Sequence, residues 1–102
     1  MTIYKKRVDD NHAEVKLALM SAGANVDDIS AIGGGVPDLL VGFVRNGQKC
    51  FAFFEVKDGK KFKSQQKLTP AQERWHEKYR GWPVCTVDSA EAALRHLKVL
   101  QT

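Results

Sequence analysis

The chain has 102 residues, 43% of them hydrophobic and 27% charged, a balance that excludes disordered and fibrous proteins and suits a single domain over residues 1–102. No apolar run approaches the roughly 18 residues a membrane-crossing helix needs, and Met1 to Arg7 lacks the apolar stretch of a secretory signal, so the expected location is cytoplasmic, with no membrane partner. Sixteen Lys and Arg against twelve Asp and Glu leave a net charge of +4, which favours a polyanionic partner.

In chain order, Val8, Val15, Leu19 and Ala22 fall at helical spacing around the acidic Asp9-Asp10 and ahead of Gly23, which predicts an amphipathic helix with a glycine stop. A short strand is expected around Val26 to Ile32. Two apolar runs follow, Pro37 to Val44 and Lys49 to Lys57, separated by Arg45-Asn46-Gly47-Gln48. Asn-Gly between apolar runs predicts a β-hairpin, because a type I′ turn needs positive φ at both central residues. Both runs are apolar on both faces, so the sheet is expected to be covered on both sides by the flanking helices. The basic, polar stretch Asp58 to Leu68 reads as a loop. Thr69-Pro70-Ala71-Gln72 then opens a helix to about Arg80, with Thr69 as N-cap, Pro70 at the first helical position and Gln72 closing a capping box. After Gly81, Trp82 to Val87 reads as a last strand, and Asp88-Ser89-Ala90-Glu91 starts a closing helix through Leu100, giving the order αβββαβα. Cys50 and Cys85 lie in the strand-like runs without the spacing of a zinc site, and are expected as buried free thiols.

The hairpin carries the chemistry. A two-residue turn at Asn46-Gly47 pairs Arg45 with Gln48 and, counting back along both strands, Asp38 with Glu55. Directly opposed residues project from one face with Cβ atoms about 4.5–5.5 Å apart, where two like charges destabilise the sheet unless something positive lies between them. Lys57 shares the face of Glu55, roughly 6.6 Å further along the strand. Two acids and a lysine on one face suit phosphodiester hydrolysis with Mg²⁺ or Mn²⁺, which takes one or two carboxylates together with waters and phosphate oxygens. The Val56 carbonyl is a further candidate ligand.

Pro37-Asp38 followed by Glu55-Val56-Lys57 resembles the PD-(D/E)xK nuclease superfamily, with its restriction-endonuclease-like α/β fold: an αβββαβ core with a central mixed sheet flanked by helices. The closer likeness is to the VRR-NUC (virus-type replication-repair nuclease) group, carried by Gly35-Val36-Pro37-Asp38-Leu39, Phe54-Glu55-Val56-Lys57 and Leu68-Thr69-Pro70-Ala71-Gln72. The resemblance implies a Mg²⁺- or Mn²⁺-dependent endonuclease with Asp38, Glu55 and Lys57 catalytic and Gln72 close to the site. It also implies an acidic residue of the first helix, best matched by Glu14, as an outer metal ligand. Stand-alone members of the group resemble phage or bacterial proteins that act as homodimers on branched DNA such as four-way junctions, whereas longer members carry the domain fused to repair modules. A chain this short is expected to hold the nuclease unit alone, in a bacterial or phage-infected cell.

Other features carry two readings each. Lys60, Lys61, Lys63 and Lys67 form either a solvated turn or a set of phosphate contacts beside Lys57, and Lys5, Lys6 and Arg7 are a candidate second patch. Gly33-Gly34-Gly35 lacks the GK[ST] ending of a phosphate loop and precedes a strand, so no nucleotide cofactor is expected; Gly34 and Gly35 read instead as a flexible approach that lets a DNA backbone come near Asp38. Glu14 is either a ligand or a surface residue. Trp75 and Trp82 read as core or interface residues, and His12, His76 and His96 receive no chemical role. A DNA-binding module on a nuclease fold, without cutting activity of its own, is the alternative function.

Overall fold

The structure, a computed structural model, describes residues 10–58 and 67–102. Val8, the early basic residues, and Lys60, Lys61 and Lys63 lie outside the described residues. Helix α1 (Asp10–Ser21) buries Val15 and Leu19 completely. It stops where Gly23 takes φ 97°, a left-handed conformation that costs glycine little. There the Gly23 N–H donates to the Met20 carbonyl (3.0 Å) and the Ala24 N–H to the Leu19 carbonyl (3.1 Å), closing the last turn as a Schellman motif.

Strand β1 (Asn25–Asp28) is shorter than the expected run to Ile32. The Asp28 carboxylate accepts hydrogen bonds from the Ser30 N–H (2.9 Å) and hydroxyl (2.6 Å), and this local bonding turns the chain into a 3₁₀ turn, Ser30–Ile32. Strands β2 (Leu39–Arg45) and β3 (Gln48–Val56) form the predicted hairpin, with Asn46 at φ 50° and Gly47 at φ 78°. Their pairing runs from Arg45 opposite Gln48 to Leu39 opposite Phe54, in the register read from the sequence.

Helix α2 (Pro70–Lys78) connects β3 to β4 (Val84–Val87), which pairs parallel to β3, and α3 (Ala90–Gln101) ends the order αβββαβα. The sheet order is β1-β2-β3-β4, a mixed sheet of the restriction-endonuclease-like kind. The last strand begins two residues later than expected, because Trp82 sits in the turn, where its N–H donates to the Tyr79 carbonyl (3.0 Å).

The two sheet faces are treated differently. One face presents Leu39, Val41, Phe43, Ala52, Phe54 and Val56 to α1 and α3, which add Val15, Leu19, Ala93 and Leu97 to one continuous core. Side chains such as Phe54 and Leu39, fully withdrawn from water, each contribute about 1.5–3 kcal/mol. Among the described residues, the opposite face lies under α2 alone. Nine helical residues span about 13.5 Å, against about 30 Å for the nine residues of β3, so α2 covers only one end. The expectation of full cover on both sides is corrected here: Trp75 packs edge-on against Phe53 (5.2 Å between centroids), while Phe51 keeps 66% and Trp82 68% of their surface exposed. Both cysteines are free, but Cys85 is buried and Cys50 only half-buried.

Candidate active site

Because Phe54 and Val56 point into the core, alternation along β3 sends Glu55 to the other face, under α2, where it is 1% exposed. Asp38 stands one step before the first ladder pair, so the register sets it against Glu55. The Ile29 N–H holds the Asp38 carbonyl (2.8 Å), Pro37 before it is fully buried, and Asp38 Oδ2 accepts from the Val56 N–H (2.8 Å). The two carboxyl groups are close neighbours, near enough for each to bear on the ionisation of Glu55. Burial, and then the Asp38 carboxyl beside it, push the Glu55 carboxyl up to about 8, an effect that the Lys57 ammonium partly opposes.

Lys57 leaves the sheet just past β3. Its N–H donates to the Val87 carbonyl (2.8 Å), and its own carbonyl accepts from the Asn11 side chain of α1, which also reaches the Asp88 carbonyl (3.1 Å). The Lys57 ammonium donates to Gln72 Oε1 (2.8 Å).

Gln72 is the hub of the cluster. As the third residue of α2 it completes the predicted capping box, its N–H donating to Thr69 Oγ1 (3.2 Å) and its Oε1 accepting from the Thr69 N–H (2.9 Å). The same side chain donates through Nε2 to Glu55 Oε2 (3.3 Å). One amide thus caps a helix, fixes an ammonium and holds a carboxyl.

One turn along α2, His76 places Nε2 3.6 Å from Glu55 Oε1. Neither atom has a hydrogen-bond partner, and both are buried. Burial, then the charge of Lys57, lower the His76 pKa and keep the imidazole neutral. The sequence reading gives His76 no role, although its four-residue step from Gln72 puts both on one helix face, and that spacing is the available signal.

The remaining predicted site residues divide. Val56 contributes its N–H to Asp38. Lys67 is exposed just ahead of α2. Gly34 is exposed at φ 67°, with open space where a side chain would go. Gly35 differs from the flexible approach expected of it: at φ 87°, a Cβ there would lie 2.2 Å from the Ala71 carbonyl oxygen, so the close approach is to the first turn of α2. Glu14 is exposed, and no hydrogen bond or ion pair among the described residues ties it to Asp38 or Glu55. It lies about 100° from Val15 and about 140° from Leu19 around α1, which turns it off the inward stripe. From α1 it is Asn11 that meets the Lys57 backbone.

The donor set fits one hard divalent cation. A charge of +2 between Asp38 and Glu55 would offset the repulsion of the two carboxyls and give the unpartnered, buried Glu55 carboxyl a partner. Among the described residues, no group of three His, Cys, Asp or Glu side chains is spaced to hold an ion, so waters and substrate oxygens would complete the shell. No curated protein and no solved structure matches the chain. The VRR-NUC domain model matches residues 2–89, a stretch that holds Asp38, Glu55, Lys57 and Gln72 together with His76. The chain therefore belongs to the VRR-NUC family, and is a nuclease domain whose substrate is DNA.

Proposed function

We propose that this nuclease is a Mg²⁺- or Mn²⁺-dependent endodeoxyribonuclease that hydrolyses phosphodiester bonds in branched DNA such as four-way junctions, as a homodimer. The observation that carries the metal reading is the meeting of the Asp38 and Glu55 carboxyls beside the Lys57 ammonium, two acids under one helix with Glu55 raised to about 8. Asp38 and Glu55 would hold the ion, with the Val56 carbonyl as a further donor. When bound, the ion supplies a polarised phosphate oxygen and a water of lowered pKa. Lys57, steered by Gln72, directs its ammonium at the negative charge that builds on the phosphoryl oxygens. Glu55 is walled from bulk water by α2, which strengthens each of these interactions. The preference for branches and the dimer rest on the motif likeness to stand-alone members of the group, and the exposed Phe51 and Trp82 offer apolar surface for self-association.

A gel assay on matched single-stranded, duplex, flap and four-way substrates tests the proposal. Nicking of the four-way substrate with Mn²⁺ or Mg²⁺, absent in EDTA and absent in Asp38→Ala, is the expected result. Activity retained in EDTA would remove the metal, and equal cutting of linear duplex would remove the branch preference. Junction binding without nicking in either metal would favour a DNA-binding module.

A further inference from the structure

Two buried polar atoms that face each other without a hydrogen bond need an explanation, because an unmet polar group inside a protein costs about 1–3 kcal/mol. Glu55 Oε1 and His76 Nε2 are such a pair, 3.6 Å apart. We infer that His76 is a positioning residue of the nuclease site: its Nε2–H donates to Glu55 Oε1 when Glu55 holds the cation, so that α2 straps both oxygens of Glu55, Gln72 at Oε2 and His76 at Oε1. The inference rests on the reading of Asp38 and Glu55 as ion ligands.

The geometry requires little movement. A swing of the imidazole that closes the gap by about 0.6 Å makes an ordinary hydrogen bond. The ring is held for that contact, since Trp75 stands edge-on to it at 5.7 Å and is itself stacked on Tyr79 at 4.3 Å. The tautomer that carries its proton on Nε2 is the one able to donate to Glu55 Oε1. Groups that orient the ligands of a metal in this way are typically worth 10- to 100-fold in affinity.

Mn²⁺ binding, followed by the electron paramagnetic resonance signal of the free ion, is to be measured on the full chain and on His76→Leu and His76→Gln, each checked for its fold by circular dichroism. A loss of about 10-fold or more in Mn²⁺ affinity is expected for His76→Leu, with most of it restored in His76→Gln, whose amide can donate to Oε1. Affinity unchanged in His76→Leu, or Gln as weak as Leu, overturns the role of His76 and leaves the ion ligands standing. A wild-type protein that binds no Mn²⁺ overturns both. Should the variants misfold, ¹⁵N resonance of the wild type with Mg²⁺ still decides: a proton on Nε2 of His76 supports the role, and a proton on Nδ1 alone refutes it.

Discussion

Replacing Glu55 by Gln should stabilise the metal-free protein while abolishing cleavage. Glu55 ionises near 4.5 in an unfolded chain and near about 8 in the fold. Between those values the unfolded state holds fewer protons than the folded one, so stability falls as pH rises from 4.5 toward 8. The penalty is under about 1 kcal/mol at pH 5 and about 3 kcal/mol at pH 7. A carboxamide at this position has no proton to lose and keeps the size of the side chain. Urea unfolding in EDTA at pH 5, 6, 7 and 8 measures the gap between the two proteins; groups that titrate identically in both cancel. The gap should favour the Glu55→Gln variant and widen by about 2–3 kcal/mol between pH 5 and 7, roughly 1–2 M in midpoint. A gap that stays constant with pH, or a variant less stable throughout, would refute the account of the paired carboxyls. Mn²⁺ added to the wild type should close most of the gap.

Asp38→Ala and Lys57→Ala should each lower cleavage at least about 100-fold with an unchanged circular dichroism spectrum, as read by gel assay. Thr69→Ala removes an N-cap worth about 1 kcal/mol, the acceptor of the Gln72 N–H, and loosens the first turn of α2 that carries Gln72, so it should lower the thermal midpoint and the cleavage rate together. Gly35→Ala drives a Cβ into the Ala71 carbonyl at a positive φ, and should cost at least about 2 kcal/mol in urea unfolding.

The opposition of Asp38 and Glu55 was legible because it needed only local information: Asn46-Gly47 admits one tight turn, and the alternation of side chains carries that register to the far end of both strands. Gln72 was legible as a cap for the same reason. Its bonds to Lys57 and Glu55, and the place of His76, depend on where α2 lies over the sheet, and helix periodicity names a face without naming what it meets. The end of β1 was missed because a side chain, Asp28, outcompeted the strand ladder. At Gly35 a flexible approach for DNA was expected, whereas the glycine is required by a helix backbone from 36 residues later in the chain. The exposure of Phe51 follows from the short length of α2, which the apolar pattern of the strands does not report.

The Asn46-Gly47 hairpin also limits how this domain can vary. Adding one residue to each strand between the tip and the site would keep the two acids opposed, yet would set the tip half, with Val41 and Ala52, out of phase with Leu39 and Phe54. Either the core or the chemistry would then be turned to the wrong side. Insertions between Phe43 and the acids should therefore come in even steps per strand, whereas the exposed tip is free to vary, a parity rule that ties the length of the inner hairpin to the survival of the catalytic centre.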